Sequence, residues 1–207
     1  MGRVIWLEGI IGAGKTTLGR ALSTALQLRA IEEPVETNPF LTDFYQDPRR
    51  WAFPMQIHLL HARFAMQQLA AAEALTSRGA ILDRGLPGDR VFAKMLTEDG
   101  FISSREWQTY EMAYDVMTAS LRPPSLILYL DVEPAVALDR ARVRARGCET
   151  GLTLEYLTRL QRGYLDLLVQ VESGKHAWSR GMSILRVPWN VDHQGIDGIV
   201  DEIRRRT

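Results

Sequence analysis

Residues 3–17 read RVIWLEGIIGAGKTT, and the architecture of the chain follows from how that stretch divides. RVIWLE is a short apolar run that ends at the glycines, which predicts a buried strand. GIIGAGKT then fits the pattern G-x-x-x-x-G-K-[ST], with Gly9, Gly14, Lys15 and Thr16 in the fixed positions. Glycines let backbone N–H groups turn inward around phosphate oxygens, and a helix starting near Lys15 aims its positive dipole end at them. The expected phosphate cradle is Gly9, Gly12, Ala13, Gly14, Lys15, Thr16 and Thr17. Lys15 reaches the terminal phosphates, and the Thr16 hydroxyl can ligate magnesium. The pattern is strong for a nucleoside triphosphate and silent about what receives the phosphate.

Working outward, short apolar runs alternate with helical periodicity. KTTLGRALSTAL (15–26) has a 3.6-residue period, LRAIEEP (28–34) is a second strand, and GAILDRG, SLILYLDV and MSILRVPW are the third, fourth and fifth. A long helix is expected from Pro54 to Ser77, with Pro54 in its first turn. Further helices are expected over Asp89–Leu96, Ser104–Leu121, Glu133–Arg146, Leu154–Glu172 and Gln194–Arg206. Strands alternating with helices build a parallel sheet covered on both faces. The expectation is an α/β, P-loop NTPase-type three-layer fold, a five-stranded parallel sheet flanked by helices, with residues 1–207 forming one domain.

Bulk properties narrow the partners. The 25 basic and 25 acidic side chains cancel, so no overall field draws the chain to nucleic acid or an anionic membrane. No apolar run approaches the length of a membrane span. A single cysteine, Cys148, cannot form an internal disulfide. The default reading is a cytoplasmic, single-domain protein.

In parallel α/β sheets ligands bind at the carboxyl ends of the strands, so the residues there carry the chemistry. Glu33 ends the second strand, where a carboxylate could take a proton from an attacking hydroxyl. Strand alternation sends Glu32 to the opposite face. Gln56 and Arg63 are seven residues apart on the long helix, so they share a face about 10 Å apart. They interrupt an apolar stripe of Met55, Leu59, Leu60, Met66 and Leu69, which suits a flat ligand with polar edges. Asp83 and Arg84 follow the third strand, an acid for magnesium and a cationic clamp. Asp89 is read with two roles open, a helix cap or a ligand. Arg140 and Arg144 share one helix face, and Arg142 and Arg146 share another.

Together these segments resemble the deoxynucleoside kinase family. EEPVE (32–36) is similar to the family's Glu-Pro-Val segment, which makes Glu33 the implied general base for a 5′-hydroxyl. YQDPRRWAFPMQIHLLHAR (45–63) is similar to the stretch that holds the sugar and base, which implies Tyr45, Gln56 and Arg63. LDRGLPGDRVFA (82–93) resembles the Glu/Asp-Arg-Ser motif, which implies Asp83 toward magnesium, Arg84 near the 5′-oxygen and Asp89 with Arg63 at the base. DRARVRARGCE (139–149) resembles the arginine-rich lid, which implies Arg140, Arg144 and Arg146 at the phosphates and Glu149 at the sugar 3′-hydroxyl. VPWNVDH (187–193) occupies the place of the loop against the adenine of ATP, implying Val191 and Asp192. Ile10, Gly85 and Cys148 depart from the family's Asn, Ser and acidic residue. The resemblance implies ATP and Mg²⁺, a homodimer, and a small-molecule substrate, a purine deoxynucleoside or deoxycytidine, as acceptor. Two alternatives remain open here: a thymidylate-kinase-like monophosphate kinase, whose acceptor is a phosphate, and a non-catalytic P-loop interaction protein.

Overall fold

β1 (Arg3–Glu8) lies at the centre of a five-stranded sheet, and every residue after Arg3 is buried. A computed structural model of the chain describes residues 2–33, 38–144, 151–191 and 195–207. β2 (Arg29–Ile31), β3 (Gly79–Asp83), β4 (Leu126–Asp131) and β5 (Ile184–Pro188) complete the sheet in the order β2-β3-β1-β4-β5. Every pairing is parallel. Leu7 lies opposite Asp83 and Glu8 opposite Tyr129. The central strands therefore end level, and the loops after β1 and β3 emerge side by side.

The side chains of β1 alternate between two helical layers. Trp6 Nε1 donates to Gln67 Oε1 on α3 (Pro48–Thr76), 2.9 Å away. Leu7 points the other way, against Gly19 of α1 (Lys15–Leu26). The apolar face of each helix closes over one side of the sheet, and the main core joins β1, β3 and β4 to α1, α3 and the later helices. Two smaller apolar clusters lie between α3, α4 (Leu86–Glu98) and α5 (Ser104–Ala119). They fix the wall that carries Gln56, Arg63 and Asp89.

Several boundaries differ from the sequence reading. α3 begins at Pro48, not Pro54, because Asp47 caps it by accepting from the Arg50 N–H and Pro48 takes the first turn. Pro54 lies inside the helix, where it lacks the N–H that would bond the Arg50 carbonyl. Ahead of it, α2 (Leu41–Gln46) is a short helix in a stretch without helical periodicity. α4 starts at Leu86 rather than Asp89, with Gly85 at its cap. Asp89 therefore does not cap a helix, and its role must be sought in its contacts. Leu69, assigned to the apolar stripe, is exposed. α6 (Pro134–Arg144), α7 (Leu154–Glu172) and α8 (Asp197–Arg206) follow the expected periodicity. α5 has a full capping box between Ser103 and Glu106.

Candidate active site

The loop after β1 folds as its glycines require. Gly12 and Gly14 have φ of 81° and 92°, in the left-handed region. A Cβ on Gly12 would lie 2.1 Å from the Ala137 carbonyl oxygen, so no side chain fits there. Lys15 is buried, and its Nζ donates to the carbonyls of Gly9 (3.1 Å) and Ile10 (2.9 Å). Burial lowers its pKa to about 8, helped by Arg84 and opposed by Asp83 and Glu33. The Thr16 hydroxyl donates to Asp83 Oδ2, while the buried Oδ1 of Asp83 has no hydrogen-bond partner. An acid and a hydroxyl joined at the foot of a phosphate loop, with one carboxylate oxygen still unused, form a donor set that suits a hard divalent cation.

A cleft of about 610 Å³ opens beside this loop, lined by Lys15, Thr16, Glu33, Gln56, Arg63 and Arg84 among others. Tyr45 and Arg144 also line it. β2 stops at Ile31, so Glu33 does not end that strand as expected but follows it by two residues, and the two neighbouring acids still separate. Glu32 turns to the surface and pairs with Arg20, and Glu33 turns inward to Arg63 and Arg84. Burial alone would raise the pKa of Glu33, but Arg63 and Arg84, with Lys15 further off, bring it down to about 2. Glu33 is an ionised carboxylate at any physiological pH.

Arg63 and Asp89 form an ion pair buried between α3 and α4. The Tyr110 hydroxyl, from α5, donates to the other oxygen of Asp89. Gln56 is fully buried, and its Nε2 donates to the Asp89 carbonyl at 3.2 Å. That bond fixes the amide, because the reverse orientation would set two carbonyl oxygens against each other. Gln56 Oε1 is left buried without a partner, an acceptor waiting for a ligand's N–H. Burial lowers the pKa of Arg63, and Glu33 opposes that. Its guanidinium remains a cation that needs acceptors.

Arg84 is held from three sides. It donates to Glu33 at 3.4 Å and to the Tyr164 hydroxyl on α7, and it stacks over the Phe92 ring at 4.6 Å. Its φ of 79° is in the left-handed region, a strained backbone of the kind that concentrates at functional sites.

The structure thus brings together Lys15, Thr16, Asp83, Glu33, Arg84, Gln56, Arg63 and Asp89. Tyr45 sits at the rim, edge-on to Phe44. Arg140 and Arg144 divide their work: Arg144 lines the cleft, whereas Arg140 donates to the Trp189 carbonyl after β5. Val191 is exposed beyond that strand. Arg146, Glu149 and Asp192 lie outside the described residues. Sequence reading missed Tyr110, Tyr164 and Glu8. The tyrosines carry no local signal, since they meet Asp89 and Arg84 from other helices. Glu8 does carry one, an acid closing the central buried strand right before the first loop glycine.

A sequence profile of deoxynucleoside kinases matches residues 5–194. The chain is 40% identical over 189 residues to the deoxyadenosine kinase of Dictyostelium discoideum, covering 91% of this chain and 73% of that protein. It is 34% identical over 189 residues to the deoxyguanosine kinase of the same organism, covering 91% of this chain and 64% of that protein. The deoxyadenosine kinase from M. mycoides, solved with bound dCTP, matches with a TM-score of 0.82 at 26% identity, covering 98% of this chain and 99% of that one.

Proposed function

Because the chain belongs to the deoxynucleoside kinase family, we propose that it moves the γ-phosphoryl group of ATP to the 5′-hydroxyl of a deoxynucleoside, with Glu33 as the proton acceptor. The observation that carries this reading is an ionised carboxylate in the wall of the cleft, paired with two arginines and level with the phosphate loop. A phosphate acceptor would not call for a carboxylate there. The hydroxyl oxygen bonds to phosphorus, the bond to the β-phosphate oxygen breaks, ADP leaves, and the hydroxyl proton ends on Glu33. A carboxylate with a pKa near 2 is a weak base. That suits a loose transition state, in which the attacking oxygen keeps its proton until late and Glu33 mainly orients it. Lys15, Arg84 and Arg144 supply positive charge around the moving group. Thr16 and Asp83 would hold Mg²⁺, which offsets charge on the outer phosphates when bound.

The base meets the α3–α4 wall. Gln56 Oε1 accepts from a base N–H, and Arg63, held flat by Asp89, offers donors. In this reading Tyr45, which lines the cleft, holds the sugar. This reading and the 40% identity to a deoxyadenosine kinase favour purine deoxynucleosides, with deoxycytidine next. No helix among the described residues is long and apolar enough to cross a membrane. The reading includes a cytoplasmic location and a homodimer, the latter supported by Leu69 and Leu75 on α3 and Met112 and Val116 on α5, all exposed. Sedimentation of wild-type enzyme against Met112→Glu/Val116→Glu tests the dimer.

The test of the activity is Glu33→Gln, assayed with ATP on the four deoxynucleosides and on thymidine monophosphate. Turnover should fall by about 10²–10⁴-fold, while ATP affinity stays as in the wild type. Near-normal turnover removes Glu33 from the reaction, and phosphorylation of the monophosphate alone overturns the acceptor.

A further inference from the structure

We infer that Glu8 is a positioning residue for phosphoryl transfer: its carboxylate grips the Gly85 amide and so fixes the turn that aims Arg84 into the cleft. The inference rests on the kinase reading above. It starts from the backbone of Arg84, which is held at a φ of 79° that a long L-side chain adopts only when its surroundings impose it. Two grips impose it, and both come from β1. The Arg84 N–H donates to the Leu7 carbonyl at 3.0 Å, extending the β1–β3 ladder by one residue. The next N–H, that of Gly85, has no strand carbonyl to meet and instead donates to Glu8 Oε1 at 2.8 Å. Glu8 is only 2% exposed, so water is poorly placed to substitute for that acceptor.

The second oxygen, Oε2, is buried without a hydrogen-bond partner on the side toward Tyr164. A Cβ on Gly88 would lie 2.5 Å from Glu8 Oε2 and 2.9 Å from the Tyr164 hydroxyl, so these two oxygens flank one small space. Tyr164 is the residue that accepts from the Arg84 guanidinium. Glu8 therefore braces the turn beneath Arg84 through Oε1 and lies across the Gly88 backbone from the side chain that receives its guanidinium. Burial raises the Glu8 pKa to about 7 against the pull of Arg84, the Gly85 N–H, Lys15 and Arg63. Oε1 accepts the amide whether or not Oε2 carries a proton.

Without the second grip, Arg84 can relax to negative φ and swing its guanidinium away from Glu33. Three variants separate reach from charge: Glu8→Gln keeps the acceptor and loses the charge, Glu8→Asp keeps the charge and loses a methylene of reach, and Glu8→Ala loses both. Thermal midpoints, kcat, and KM for ATP and deoxyadenosine are measured for each. The Asp and Ala enzymes should lose about 10–100-fold in kcat, with KM for ATP unchanged, and Gln should restore most of the loss. If Ala does not fold, Asp against Gln decides alone. Wild-type kcat in the Asp enzyme, or a loss in Gln as large as that in Asp, overturns the inference while the wild type still phosphorylates deoxynucleosides. A wild-type enzyme inactive on every deoxynucleoside overturns the kinase reading itself.

Discussion

Gly85 departs from the serine usual in its motif, and the reason lies on the neighbouring strand. A Cβ there would lie 2.7 Å from the Trp6 ring and 3.0 Å from Glu8 Oε1. Trp6 is fully buried between Gln67 and Trp178, so it has nowhere to yield. Gly85 is also the N-cap of α4, where a serine would add only about a few tenths of a kcal/mol of capping, since glycine is itself a good cap. Overpacking a full core costs about 1–3 kcal/mol, so the clash outweighs the cap. Gly85→Ser should lower the thermal midpoint in the wild type and raise it in a Trp6→Leu background. A shift of the same size in both backgrounds would show that the ring and the glycine are not coupled. The departure itself was legible in the sequence, but its cause was not. Trp6 and Gly85 are distant in the chain, and only the β1–β3 register brings them together.

The seam between α3 and α4 is where element-level reading succeeded in content and slipped in boundary. The seven-residue spacing of Gln56 and Arg63 placed both on one face, and both are buried there. The helix start was misplaced because Pro48 and Pro54 fit the first-turn rule equally well. The Asp47 side chain, which accepts from the Arg50 N–H, decides between them. Asp89 fits a cap as well as a ligand only when its helix is taken to begin there, three residues past the actual start at Leu86. Its actual partners, Arg63 and Tyr110, come from α3 and α5. Arg63→Met leaves the fully buried Asp89 with no cation beside it and should destabilise the enzyme by about 3 kcal/mol, whereas Asp89→Ala should cost less, because Arg63 keeps Glu33 as a partner. Arg63→Met/Asp89→Ala should cost less than the two single changes added together, because neither charge is then left alone. The double variant should also shift preference toward thymidine, a base that needs no Arg–Asp pair beside it. Thermal unfolding and a four-nucleoside panel check both, and an unchanged substrate ranking removes the pair from base selection.

At the scale of the whole molecule, a neutral protein gathers its buried charge at one end of the sheet. Lys15, Arg63 and Arg84 face Glu8, Asp83 and Asp89 there, with Glu33 between the arginines. The two glutamates then pull stability in opposite directions with pH. Glu33 is held near 2, below its ordinary 4.5, so its contribution is present above about 4.5 and is lost as pH falls toward 2. Glu8 is raised from 4.5 to about 7, so the folded state holds the extra proton between those values. Its contribution is present below about 4.5 and is lost as pH rises through 7. Lys15, at about 8 instead of 10.5, adds a gain only on the alkaline side. Glu8→Gln isolates one term, since it leaves Glu33 and Lys15 in place and mimics the neutral acid at every pH. The thermal midpoint of Glu8→Gln minus that of the wild type should therefore rise steadily from pH 5 to pH 8 and level off beyond. A difference flat across that range would mean that the Glu8 charge is as well accommodated in the folded protein as in water.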